Sequence, residues 1–196
     1  MAKEIQNSTI QHKSKEFQHT HRIIITALFT ALTCVSTMII KIPTPTLGYI
    51  HPGDGFVLLS GLILGPVYGT LAAGLGSALA DLFSGYLVYV PATFIIKALT
   101  ALTAFLLFSM LCNITSSKAN WFKLLISGSA GEIVMVFGYF VFEILMLSVS
   151  SHTNLSAGII ASIAGIIPNL IQAVFGVIIC NVLYPILTPL LPAMKR

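Results

Sequence analysis

The sequence predicts an all-α integral membrane protein, a bundle of six transmembrane helices. Three observations carry that prediction. The 196 residues are 56% hydrophobic and only 8% charged, whereas a soluble domain carries about 25% charged residues. Charges this sparse cannot cover the surface of a soluble globule. The apolar residues fall in long runs, and a helix needs about 20 of them to cross the hydrocarbon core, so the length accommodates about six crossings with short loops. Proline, glycine and polar clusters separate the runs where such loops are needed.

The elements follow in order. MAKEIQNSTIQHKSKEFQHT, residues 1–20, is polar and has neither the apolar core nor the cleavage site of a signal peptide. It is expected to be a short cytoplasmic tail ahead of a membrane domain over 21–196. Helix 1 is predicted over Arg22 to Ile42 and stops at PTPT, 43–46, because proline cannot continue the hydrogen-bond ladder. Gly55 to Phe83 is too long for one span, and Gly65-Pro66 divides it into helix 2, about 54–65, and helix 3, about 66–83. So short a helix 2 is expected to be tilted or shielded by protein. SGYLVYVP, 84–91, is an aromatic turn. Helix 4 runs from Pro91, a good first-turn residue, to about Cys112. Helix 5 covers about 122–148 and helix 6 about 157–184, with the polar loops NITSSKANWFK and SSHTNLSAG before them.

Six crossings put both termini on one side. Lys3, Lys13, Lys15 and Arg22 precede helix 1, Lys118 and Lys123 lie between helices 4 and 5, and Lys195 and Arg196 end the chain. All of these are cytoplasmic if the N-terminus is, as the positive-inside bias requires. Lys41 is the exception, at an outer helix end where it can snorkel. The loops carrying His51 with Asp54, Tyr86 with Tyr89, and His152 with Asn154 then face outward. The net charge of +4 reports topology and gives no reason to expect a nucleic-acid partner.

Small residues recur every fourth position. Gly61, Gly65, Gly69 and Ala73 make one stripe, and Ala72, Gly76 and Ala80 another. Such stripes let helices approach closely in lipid, and here they suit internal packing. Ala27 and Ala31 on helix 1 could pack internally or meet another protein. Ionisable groups inside a membrane are costly and mark function or pairing. Lys97 lies roughly 9 Å below the start of helix 4, within reach of Asp81 around the 3–4 turn. The two form either a structural ion pair or ligand contacts. Glu143 is near the outer end of helix 5, and Glu132 lies deeper. Asn169 and Gln172 follow Pro168, so their amides either satisfy the carbonyl that the proline frees or contact a ligand. Tyr86 and Tyr89 are either an interfacial belt or a stacking surface for a flat ring.

Several chemistries have no residues to carry them. There is no P-loop, no zincin motif and no nucleophile elbow, and GLGSAL at 74–79 misses the dinucleotide fingerprint. Cys34, Cys112 and Cys180 are too far apart for metal spacing or a disulfide framework. No catalytic residue, metal or cofactor is predicted.

IHPGDGFVLLSGLILGPVYGTLAAGLGSALADLFSGY, followed by PATFIIKALTALTAFLL and by IPNLIQAVFGVII in helix 6, resembles the substrate-specific S component of energy-coupling factor (ECF) transporters. These are vitamin importers of the ABC class. The resemblance spans about 20–190 and is nearest the hydroxymethylpyrimidine and pyridoxine-like branch. It implies a six-helix bundle in the bacterial cell membrane, with a cavity near the outer side capped by loops 1–2, 3–4 and 5–6. It implies partnership with a transmembrane T protein and two ATP-hydrolysing A subunits, with Ala27 and Ala31 as the docking face for the T protein. It also implies that the bundle topples to carry its ligand inward. Substrate contacts are expected from His51, Asp54, Tyr86, Tyr89, Lys97, Glu143, Asn169 and Gln172, with His51 and Asp54 either touching substrate or holding the loop shut. A pyrimidine precursor or a B6 vitamer is the expected cargo, although thiamine or pantothenate would also suit a small polar-edged cavity. The rival functions are a self-sufficient secondary transporter of a small polar metabolite and an intramembrane enzyme. No half-to-half symmetry of the kind many carriers show is visible.

Overall fold

The computed structural model describes residues 2–115, 120–150 and 154–191. The sequence breaks into helices where expected: α1 (Ala2–Ile39), α2 (Asp54–Leu64), α3 (Tyr68–Ser84), α4 (Val90–Thr115), α5 (Trp121–Ser150) and α6 (Leu155–Leu187), with a closing 3-10 turn. The polar N-terminal residues continue the first helix. Its apolar part spans Glu16–Ile39. Lys118, Lys195 and Arg196 lie outside the described residues, as does His152.

Between α1 and α2 the chain makes a small antiparallel hairpin, β1 (Ile42–Pro43) with β2 (Tyr49–Ile50), in register Ile42 to Ile50 and Pro43 to Tyr49. Helix 1 therefore ends at Ile39, before the predicted Ile42, because Ile42 enters this pairing. Thr44 N–H donates to the Gly48 carbonyl at 2.9 Å and Leu47 N–H to the Thr44 carbonyl at 3.2 Å, which closes the turn.

The helix α2 is the centre of the molecule. It packs against α1, α3, α4 and α6, while α1–α3–α4–α5–α6 form a chain of neighbours around it. Nine of its 11 residues are buried, so the short helix is shielded by protein, as its length required. Four helices among the described residues are long and apolar enough to cross a membrane, namely α1, α4, α5 and α6. Their outer faces expose side chains such as Ile24, Ile95, Ile133 and Ile167, which suits contact with lipid tails.

The small-residue stripes are packing devices. A Cβ on Gly61 would strike the Ala101 carbonyl of α4, and one on Gly76 would sit 2.6 Å from the Thr30 carbonyl of α1. Backbone carbonyls cannot retreat as side chains can, so these crossings need glycine. At the end of α3, Gly85 takes a left-handed φ of 83°. Tyr86 N–H then donates to the Asp81 carbonyl at 2.9 Å, a C-cap that turns the chain back toward α4.

Candidate functional site

Loop 1–2 covers one end of the bundle and is stitched to three helices. The Tyr89 hydroxyl, just ahead of α4, donates to the Thr46 carbonyl at 2.6 Å. The Thr46 hydroxyl donates to Glu143 Oε1 on α5 at 2.8 Å. The Tyr49 hydroxyl donates to Asp81 Oδ1 on α3 at 2.7 Å. The His51 N–H donates to Gln172 Oε1 on α6 at 2.9 Å. Each helix carries its polar groups on one face, at i and i+3 or i+4: Thr93 with Lys97, Tyr139 with Glu143, Asn169 with Gln172. That spacing directs them to the same interior space.

These groups enclose a cavity. The loop contributes Thr44, Gly48, Tyr49 and His51, and the helices contribute Asp81, Tyr89, Thr93, Tyr139, Glu143, Asn169 and Gln172. Its free volume is about 20 Å³, room for about one water. A ring-sized ligand needs more room than this. Tyr49, Tyr86 and Tyr89 form an aromatic run at the mouth, with ring centroids 4.6 Å apart for Tyr49–Tyr86 and 6.4 Å for Tyr86–Tyr89.

Behind the cavity lies a buried polar network. Lys97 Nζ pairs with Asp54 Oδ1, and both side chains are 0% exposed. Gln172 Nε2 donates to Asp54 Oδ2 at 2.7 Å, so this amide joins the ion pair to the His51 backbone. The ammonium also sits 5.2 Å from the centre of the Tyr139 ring, a favourable cation–π distance. Gly53 N–H donates to His51 Nδ1 at 3.1 Å, which places the imidazole proton on Nε2. Burial pushes the His51 pKa down to about 3, so the ring is neutral at ordinary pH.

The expected Asp81–Lys97 ion pair is corrected by this geometry. Lys97 pairs with Asp54, because α2 occupies the centre of the bundle and brings its first turn to α4. Asp81 instead accepts from Tyr49. Of the predicted contacts, His51, Tyr89, Glu143, Asn169 and Gln172 line the cavity. Asp54 and Lys97 stand behind it in their ion pair, and Tyr86 packs at the mouth. Gln172 uses its amide on Asp54 and His51, not on the carbonyl that Pro168 frees. Sequence reasoning missed Thr44, Tyr49, Thr93 and Tyr139. Same-face spacing from Lys97 and Glu143 would have found the last two. Tyr49 and Thr44 carried no such signal, since the hairpin alone brings them in.

Fold and cavity together describe a helical membrane protein with a polar cavity closed by loop 1–2. Comparison with known proteins narrows that class. The family model for the S component of ECF-type riboflavin transporters matches residues 17–189, and the chain belongs to that family: it is the S component of an ECF-type vitamin transporter. A Pyrococcus woesei protein, known as an uncharacterized protein in the gap 3' region, is 32% identical over 146 residues, covering 74% of this chain and 86% of its own. The fold matches the S component of a bacterial ECF transporter with a TM-score of 0.61 at 23% identity, over 91% of this chain and 99% of the other. It also matches the S component for biotin from an ECF-type ABC transporter, with a TM-score of 0.53 at 25% identity, over 88% and 93%.

Proposed function

We propose that this S component captures a small single-ring vitamin or precursor, hydroxymethylpyrimidine or a B6 vitamer, and passes it inward with a T subunit and two ATPase subunits. The observation that carries the cargo is the cavity itself. It is narrow, walled by tyrosines that can cover the faces of a flat ring, and edged by a few placed polar groups. A single ring needs the least opening of loop 1–2. His51, Tyr89, Glu143, Asn169 and Gln172 contact the ring in this reading. Asp54 and Lys97 hold those contacts in position. The second reading is a flavin, favoured by the family model's description. It demands a larger opening of the same loop.

The cavity end faces outward in this reading. Arg22 lies beside the α2–α3 turn and Lys123 near the start of α5, both at the opposite end, where positive charge favours the cytoplasm. This reading has six crossings and a cytoplasmic N-terminus. Mass spectrometry of ligand released from the purified protein tests the cargo: a pyrimidine or pyridine supports the first reading and a flavin the second. Sustained uphill uptake by the chain alone in vesicles would overturn the need for partner subunits.

Ala27 and Ala31 are both exposed on α1, while Thr30 and Thr33 of the same helix meet Gly76 of α3. The two alanines thus lie off the internal seam, where a partner helix could approach closely. Ala27→Trp with Ala31→Trp is expected to reduce co-purification with the T subunit at least tenfold and to leave ligand affinity unchanged. Equal recovery of the complex would remove the docking role.

A further inference from the structure

Among the described residues, carboxyl groups around this cavity outnumber the buried ammonium groups near them. Asp81 and Glu143 line it. Asp54 lies behind, and Glu132 lies behind that, both against Gly176, with Glu132 Oε1 2.8 Å from where a Cβ on that glycine would stand. Among the described residues the one buried ammonium near them is Lys97, already paired with Asp54. Lys41 is exposed at the rim, donating to Ser84 Oγ at 2.9 Å. His51 adds no charge, as described above.

The two lining acids are not equally satisfied. Asp81 Oδ1 accepts from Tyr49. Glu143 Oε1 accepts from Thr46, but Oε2 has no hydrogen-bond partner although the residue is only 3% exposed. A buried acceptor left unpaired is costly and is usually explained by a missing partner. Across from it, α6 presents Gly165, and the carboxyl group packs close against that glycine. A ligand that brings N–H or O–H groups would satisfy the unpaired Oε2. A ligand that brings a carboxylate or phosphate would bury like charges together.

Resting on the proposed vitamin-binding role of this cavity, we propose that it selects by charge. It takes a ring whose buried edge carries hydrogen-bond donors or a protonated nitrogen, and it rejects ligands bearing a carboxylate or phosphate. Glu143 is the acceptor that reads the donor edge. Pantothenate, biotin and pyridoxal phosphate are thereby excluded, whereas an aminopyrimidine, an unphosphorylated B6 vitamer or a flavin is admitted.

Calorimetry on the purified chain against six compounds tests this. The panel is hydroxymethylpyrimidine, pyridoxamine, riboflavin, pantothenate, biotin and pyridoxal phosphate. Binding confined to the first three is expected, and Glu143→Gln should weaken the bound compound at least tenfold. Tight binding of pantothenate, biotin or pyridoxal phosphate overturns charge selection and leaves the S-component role standing. Undiminished affinity in a folded Glu143→Gln protein removes Glu143 as the reader. Should that variant not fold, the wild-type panel decides alone. Binding of none of the six overturns the cargo reading and this inference with it.

Discussion

Lys97→Met is expected to lower stability by about 3–5 kcal/mol, the cost of leaving one member of a buried ion pair uncompensated. That is a large share of the roughly 5–15 kcal/mol that holds a domain folded. Lys97 and Asp54 are both 0% exposed, so no water can take over the lost interaction. Lys97→Met combined with Asp54→Asn is expected to recover most of the loss, since neither member of the pair is then left charged without the other and asparagine still accepts from Gln172. Replacing both members of a buried pair is often neutral, whereas removing one is not. Melting temperatures of the detergent-solubilised proteins check both outcomes. A single variant that melts like the parent would show that the pair contributes nothing. Asp54 also holds Gln172, and Gln172 holds the His51 backbone. The single variant is therefore expected to loosen loop 1–2 as well, with faster ligand release.

Gly61→Ala is the second large effect. Alanine is normally the better helix former by about 1 kcal/mol, so in an open position it would stabilise. At Gly61 the added methyl meets the Ala101 carbonyl, which belongs to the backbone of α4. Overpacking of this kind costs about 1–3 kcal/mol, enough to reverse the sign. Gly128→Ala is the control. Its nearest neighbour would be Leu58 Cδ1 at 3.5 Å, an ordinary contact, and this change is expected to be neutral or stabilising. Thermal melts that rank Gly61→Ala at or above the parent would refute the close α2–α4 crossing.

Much of the fold was legible because its signals are local. Gly65-Pro66 divides α2 from α3 through a glycine at φ 85° and a proline that cannot continue a ladder. The polar stretches before Trp121 and Leu155 separate α4, α5 and α6 for the same kind of reason. The loop 1–2 hairpin was not legible. Its strands are two residues each, and one contains proline, too short for any alternation to show. The site was half legible. Glu143, Asn169 and Gln172 stood out because polar groups are costly within apolar helices. Their grouping, and the presence of Tyr49, Thr93 and Tyr139 beside them, depended on which helices face one another.

By itself the sequence determined the class of the molecule: a helical membrane protein, six apolar segments, their breaks, and an S-component pattern of small and polar residues. Composition and local backbone chemistry suffice for that. Only the tertiary structure decided that α2 is central. With that came the partner of Lys97, since a buried charge pairs with whichever acid packing brings to it. Asp81 is 16 residues away along the chain, yet the ion pair forms with Asp54, 43 residues away, because α2 lies against α4 at that depth.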